Sequence, residues 1–424
     1  MTIKEEKRSN DLKTLNCAIL GYGNRGSVYA DLLYKTDGVK ITAVCDVSAE
    51  AVKLAKEKYG LRDDCCFTSE DEFFKARRGD ACVIATMDKL HVRHASLALA
   101  LGYDVLLEKP IATSYADCLE IERVAEKHGN KILVCHVLRY TAFFRKIKEL
   151  LEKGEIGRIT SVSEAEDVDF VHYWLSFLHG NWHNEGTSSP IILQKCCHDF
   201  DIIGWLTGKK CARVSSFASL NEYLAENKPA DAAEYCIDCP RMKTCEYSGI
   251  RIMCNNPLWL KGYYPEMEMT DDGVKKVLSD KSNPFSKCAY FGGNDVMTDQ
   301  IVNMYCEDGV LVQTIMSGFS SGGRREITIH ATRGEIYGFM GAEKVYVKYK
   351  PFQQPEQLFD LTEDSVVSGH GGGDENIIKS FVGYVRDGVD DGMLSTIEDS
   401  ILSHKIAFAA EESRHDNGKS VEIR

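Results

Sequence analysis

The six residues Gly21-Tyr22-Gly23-Asn24-Arg25-Gly26 follow directly on the apolar run Leu15 to Leu20 and precede a segment of helical composition. Glycines spaced this way suit a dinucleotide. Gly21 allows a tight turn, Gly23 lets the backbone approach a pyrophosphate, and Gly26 permits close packing of helix on strand. The helix N-terminus then presents its N–H groups to the phosphate charge, with Asn24 and Arg25 beside it. Asp46 ends the next β-branched run, Val39 to Cys45, 20 residues after Gly26. A carboxylate there accepts hydrogen bonds from ribose hydroxyls and repels a 2′-phosphate, so the pattern reads as NAD, with NADP less suited.

A second constellation lies further on. Cys236, Cys239, Cys245 and Cys254 form C-x2-C-x5-C-x8-C. Random placement of the chain's cysteines predicts about 0.7 in a window of this length, so chance explains the four poorly. Four thiolates can close a tetrahedral structural zinc site and so fold a polar segment. An iron–sulfur cluster and unliganded or disulfide-linked thiols are the alternatives. A closed four-thiolate site leaves no open position for catalysis.

The elements that must position these residues alternate. After Val39 to Cys45 come a helix-like Ala49 to Tyr59, a strand-like Ala81 to Ala85, a helix from His91 to Leu101 and a strand Asp104 to Leu107. Ser114 with Asp117 resembles a capping box opening a helix that Gly129 ends, and Lys131 to Val137 reads as one more strand. Repeated βα units imply a doubly wound parallel sheet, an α/β Rossmann domain over residues 14–136. Beyond it, one helix (Phe143 to Lys153) is followed by strand-like runs such as Ile156 to Glu164, Ile301 to Met316 and Glu326 to Ala331. Residues 137–424 therefore read as an α+β domain with a mostly antiparallel open sheet. Residues 221–290 are polar, broken by Pro, Gly and Asn, and rich in Cys, which marks an insertion.

Composition narrows the function classes. Of 424 residues, 44% are hydrophobic and 27% charged, enough apolar mass for two ordinary domains. The net charge of −13 does not supply the basic surface that nucleic acid requires. The charged opening, residues 1–13, reads as a disordered tail, and no run reaches the roughly 18 apolar residues of a membrane span. A cytoplasmic protein is the expectation. Sixteen cysteines are well short of a disulfide scaffold, and the adjacent pairs Cys65-Cys66 and Cys196-Cys197 suit reduced thiols.

With a nucleotide fold expected, Glu108-Lys109-Pro110 at the end of a strand becomes informative. Together with Ala85-Thr86, His91, the stretch HVRHASLALALGYDVLLEKPIA and RYTAFFRKIKELLEKGEIGRI, it resembles the glucose-fructose oxidoreductase / inositol dehydrogenase (Gfo/Idh/MocA) family. The resemblance implies NAD(P)-dependent oxidation or reduction of a sugar or cyclitol hydroxyl. It places Lys109 between nicotinamide and substrate with a cis bond to Pro110, Glu108 beside it, and Thr86 and His91 near the nicotinamide ribose. Lys109 suits that place chemically, because a hydroxyl becoming a carbonyl passes through alkoxide character that a fixed ammonium stabilises.

The second family signature is Gln194-Lys195-Cys196-Cys197-His198-Asp199-Phe200-Asp201. Many relatives carry Asp four residues before this histidine, one helical turn away, where this chain has Gln194. Glutamine neither accepts a proton nor holds an imidazolium by charge, so the usual Asp–His pair cannot operate. His198 remains the general base or acid, while Gln194 and Lys195 become candidate substrate contacts. Upstream, Trp174, Trp182 and His183 lie in a loop whose aromatic and histidine mixture suits the C–H faces and hydroxyls of a carbohydrate. The glycine-rich stretch at 369–377, with His370 and Asp374, reads as a loop near the substrate site. The composite expectation is an NAD-dependent dehydrogenase of a sugar, glycoside or cyclitol that forms a homodimer or homotetramer. Two rivals are a glycoside-cleaving enzyme that oxidises its substrate only transiently and a non-catalytic NAD- and sugar-binding regulator.

Overall fold

The computed structural model describes residues 13–350, 355–363 and 371–423. The charged tail at 1–12 and His370 lie outside the described residues. Short apolar runs, each ended by a turn, build the first sheet: β1 (Leu15–Leu20), β2 (Val39–Cys45), β3 (Cys66–Phe67), β4 (Ala81–Ile84), β5 (Asp104–Leu107) and β6 (Ile132–Val134). All pair in parallel in the order β3-β2-β1-β4-β5-β6. Helices cover both faces, which is why β4 is buried at every position. The strand order reverses between β1 and β4, and a crevice opens at the C-terminal ends of such strands. Gly21, Asp46, Ala85 and Glu108 all sit at that edge.

Local chemistry sets the helix ends. Ser48 accepts from Ala51 N at the start of helix Ala49–Tyr59, which ends at left-handed Gly60 (φ 65°). Ser114 caps Tyr115–His128 through Asp117 N, and Gly129 closes it at φ 69°. The sixth strand stops at Val134, earlier than composition suggests, because the chain turns there into a 3-10 segment, Val137–Tyr140.

The second sheet comprises β7 (Ile159–Asp169), β8 (Cys211–Ser219), β9 (Asp299–Cys306), β10 (Leu311–Ser320), β11 (Arg324–Ala331), β12 (Gly334–Met340), β13 (Lys344–Tyr349), β14 (Gln357–Asp360) and β15 (Val421–Glu422). Its order is β14-β13-β12-β11-β7-β10-β9-β8-β15, antiparallel except for the β7–β10 pair. The expected single run Ile301 to Met316 is a hairpin, turned at Glu307–Gly309 where Asp308 and Gly309 adopt positive φ. β7 begins at Ile159 rather than Ile156 and continues to Asp169. Its acidic second half escapes a composition reading because a central strand pairs on both edges regardless of propensity.

Helix Ile191–Thr207 lies on the inner face of this sheet and helix Ile397–His415 packs along it. Ile397 and Ile401 of the latter enter the apolar cluster of the first sheet, while Ile406 and Ala410 enter that of the second. Helix Gly373–Val382 also returns to the first unit, where Ile377 and Phe381 pack with Tyr29 and Tyr140. Residues 221–290 contribute no strand to either sheet. They fold as short helices, Gly249–Asn255, Pro257–Lys261 and Asp271–Leu278, joined by turns. No helix among the described residues is long and apolar enough to cross a membrane.

Candidate active site

At the end of β1, Gly21 holds φ +87°, and a Cβ there would lie 2.5 Å from the Ala85 carbonyl oxygen. A Cβ on Gly26 would lie 1.9 Å from the Gly21 oxygen, so both positions require glycine. Gly23 has nothing within 4 Å of its would-be Cβ and caps helix Asn24–Tyr34 without a side-chain hydrogen bond. The first turn therefore faces open space with its N–H groups uncapped, a cradle of the kind a pyrophosphate fills. Asp46 accepts Tyr22 N–H at 2.6 Å and Ser48 N–H at 2.8 Å, which fixes its carboxylate beside the glycine turn. These residues fit a bound NAD.

Asn24 stays in the first turn, its carbonyl accepting from Ser27 Oγ. The Arg25 guanidinium is engaged by protein groups. Its Nε bonds Glu108 at 3.0 Å and its other nitrogens bond Asp374 and Tyr29. Two carboxylates and a phenol thus hold the guanidinium at the dinucleotide edge. Glu108 also accepts from Tyr29 Oη (2.7 Å) and Lys109 N (2.9 Å). Burial pushes the Glu108 carboxyl up, yet Arg25 and Lys109 together hold it below the usual range. Asp374 thus ties helix Gly373–Val382 to the dinucleotide edge.

Lys109 precedes a cis peptide to Pro110, as the resemblance implies. Its Nζ donates to the backbone oxygen of Gln194 at 3.1 Å, so the ammonium of the first unit reaches the helix turn that precedes His198. Thr86 bonds His94 Nδ1 at 2.9 Å. His91 is fully buried, with one ring nitrogen 2.8 Å from the Pro110 oxygen and the other 3.0 Å from the Thr86 oxygen. It braces the two loops behind Lys109 instead of facing the crevice, a correction to its expected place at the ribose.

His198 is 8% exposed and meets the edge of His136 at 5.4 Å between ring centroids; His136 in turn meets His404 at 5.9 Å. His404 Nε2 accepts Ile111 N–H at 2.8 Å, which leaves the proton on Nδ1, donated to the Ser400 oxygen. Burial, reinforced by His136, pushes His404 down to about 3, and burial with Arg139 holds His136 well below the usual imidazole range. His198 is therefore backed by two neutral imidazoles. Asp201 is taken up by Arg139 in a bidentate pair at 2.7 Å.

Gln194 donates from Nε2 to Asp88 and to Ser189 Oγ. Trp182 Nε1 donates to the same Asp88 oxygen at 3.2 Å. Asp88 is buried, on the loop after β4, and composition gave no reason to single it out. Lys195 Nζ lies 3.6 Å from Glu166 Oε1 and 3.4 Å from His172 Nδ1. Burial, partly opposed by Glu166, lowers its pKa. Behind it Arg325 pairs with Glu166 (2.8 Å) and Asp199 (2.5 Å), and buried Glu164 is driven well above the carboxylate range by burial and Asp199. These inward carboxylates of β7 follow the strand's period of two, the one sequence signal that could have found them.

Two aromatic-loop expectations are corrected. Trp174 is fully buried against His179, with ring centroids 4.5 Å apart, and is core. His183 donates from Nδ1 to the Gly180 oxygen at 2.7 Å and lines a cleft of about 260 Å³ with His179 and Lys287, a cleft whose lining includes none of Lys109, Gln194 or His198. The insertion instead supplies Trp259, whose ring sits 5.3 Å from that of His172. The cysteine set is corrected as well. Cys236, Cys239 and Cys245 share one cavity with Cys288, whereas Cys254 stands on helix Gly249–Asn255 near Asp271 and Lys275.

Comparison with known proteins matches residues 15–136 to an oxidoreductase family model described as an NAD-binding Rossmann fold, and residues 144–249 to the GFO/IDH/MocA C-terminal domain. YteT of Bacillus subtilis is 25% identical over 359 residues, 80% of this chain and 81% of its own. The inositol 2-dehydrogenase of Salmonella typhimurium is 26% identical over 211 residues, 48% of this chain and 58% of the enzyme, so the match spans little more than half of that relative. Among solved structures, the scyllo-inositol dehydrogenase of Lactobacillus casei with bound NAD(H) and scyllo-inositol superposes with a TM-score of 0.66 at 20% identity, covering 97% of this chain and 99% of that one. That likeness establishes the shared fold.

Proposed function

The chain belongs to the GFO/IDH/MocA family of NAD-binding oxidoreductases, and from that premise we propose that it is an NAD-dependent dehydrogenase acting on a hydroxyl of a sugar, glycoside or cyclitol. The observation that carries this reading is the Lys109 bond to the Gln194 carbonyl, which joins the dinucleotide edge to the helix bearing His198. Gly21, Gly23, Gly26 and Asp46 would hold the cofactor. When bound, NAD supplies the acceptor or donor of hydride.

The chain's own part is proton handling and alignment. Lys109, engaged by a single carbonyl, has N–H capacity left for a substrate oxygen and stabilises the negative charge that develops there. His198 takes the hydroxyl proton, favoured because His136 and His404 behind it carry no charge to oppose an imidazolium. Lys195, His172 and Trp182 supply donors and apolar faces around the ring. The inositol 2-dehydrogenase and scyllo-inositol dehydrogenase among its relatives support a polyol substrate. Exposed Phe217, Ile301, Tyr305, Leu311 and Ile315 cover one outer patch of β8, β9 and β10 and support homodimer or homotetramer assembly through that face.

The test is a panel of sugars, glycosides and inositols with NAD, scored by absorbance of reduced nicotinamide. Net reduction with one polyol class is expected. Substrate consumption with no net reduction would instead favour transient oxidation and elimination.

A further inference from the structure

The cysteine-rich insertion carries a site that the proposed reaction does not use. Tyr235 and Lys287 form an isolated antiparallel bridge, and Cys288 N–H donates to the Glu234 oxygen at 2.8 Å. This pairing brings Cys288, far off in sequence, against Cys236, whose thiol points to the Lys287 oxygen at 3.9 Å. A 3-10 turn, Cys236–Asp238, and the bonds Met242 N to Cys239 O and Cys245 N to Arg241 O wrap the loop so that Cys239 and Cys245 return to the same place. The four thiols line one cavity together with Met242, Tyr247 and Tyr290. All four are free thiols.

The spacing of the thiols decides which metal chemistry fits. Zinc at about 2.3 Å from each sulfur would draw four thiolates to about 3.8 Å from one another. Among the described residues, no three cysteine sulfurs lie within 4.8 Å of one another. A cubane cluster, with iron and sulfide filling the centre, holds its cysteine ligands further apart than a lone ion does. We infer that Cys236, Cys239, Cys245 and Cys288 ligate an iron–sulfur cluster that pins residues 234–245 to 287–290.

The centre is structural, with a reach into the substrate pocket. Tyr247 and Tyr290, which line the cavity, meet edge-on at 5.9 Å, and Tyr247 also contacts Phe170. Phe170 opens the short helix Phe170–Tyr173 that carries His172, and the same insertion supplies Trp259 over His172. Fixing the insertion thus fixes one wall beside Lys195.

The test is iron, acid-labile sulfide and zinc analysis of full-length protein purified without oxygen, with its visible absorption spectrum. About four irons and four sulfides per chain are expected. Cys288→Ser should lose at least half of that iron and the visible band, while Cys254→Ser keeps both. NAD binding, measured in parallel, shows that Cys288→Ser retains a folded first unit. Zinc in place of iron, no metal in the wild-type protein, or metal lost with Cys254→Ser but kept with Cys288→Ser would each overturn the inference.

Discussion

Lys109 Nζ and the backbone oxygen of Gln194 lie 3.1 Å apart, a bond between the dinucleotide unit and the helix of the second sheet. The acceptor is a main-chain atom, so substitution of the Gln194 side chain leaves this bond available. The side chain serves elsewhere, joining Asp88 and Ser189. Position 194 has thus been separated into two tasks, a carbonyl that seats Lys109 and an amide that holds a carboxylate of the other unit.

Gln194→Asp, which would install the acid common among relatives, is predicted to harm this protein. It sets a second carboxylate against buried Asp88 and replaces a donated hydrogen bond by like-charge repulsion, at a cost of roughly 1–3 kcal/mol. A lowered Tm and reduced turnover at neutral pH are expected, with recovery in the double variant Gln194→Asp/Asp88→Asn. A fully active, fully stable single variant would show that the Asp88 contact is dispensable.

Asp46→Ala is expected to relax cofactor choice. Loss of the carboxylate removes both the ribose acceptor and the repulsion of a 2′-phosphate, so the NAD to NADP ratio of kcat/KM should fall by about tenfold or more. The measurement is paired steady-state kinetics with the two cofactors. An unchanged ratio would remove Asp46 from cofactor selection.

Stability should depend on pH through the buried histidines. Burial pushes His404 and His179 down to about 3 and His94 to about 4. Between those values and the unfolded value of about 6.5, the unfolded chain binds more protons than the folded one, so stability falls as pH drops through this window. Tm is predicted to decline from pH 7 toward pH 4. His404→Gln, which keeps a side chain able to accept from Ile111 N, should flatten the slope while lowering Tm at pH 7. A slope unaltered in that variant would assign the acid sensitivity to other groups.

Much of the dinucleotide edge was legible because each residue answers a local demand: positive φ at Gly21, close packing at Gly26, a strand-end carboxylate at Asp46. Helix caps at Ser48 and Ser114 were readable for the same reason. The rest depends on contacts between distant segments. Asp374 reaches Arg25 from 349 residues away, and Asp88 meets Gln194 across the two units. Cys254 completes the cluster in the sequence, yet the Tyr235–Lys287 bridge hands its place to Cys288. Trp174 and Trp182 look alike in the sequence; only packing separates a core indole from one that bonds Asp88.

The central claim is that Lys109 and His198 act on one substrate oxygen, and its most direct measurement pairs turnover with NAD binding in Lys109→Ala and His198→Asn. Each variant is predicted to lose about 10²–10⁴-fold in kcat on the best polyol of the panel. NAD affinity should stay within about twofold, and the double variant should lose little more than either single one, as groups that act as a unit do. Wild-type turnover in either single variant, or losses that simply multiply in the double variant, would contradict a shared reaction centre.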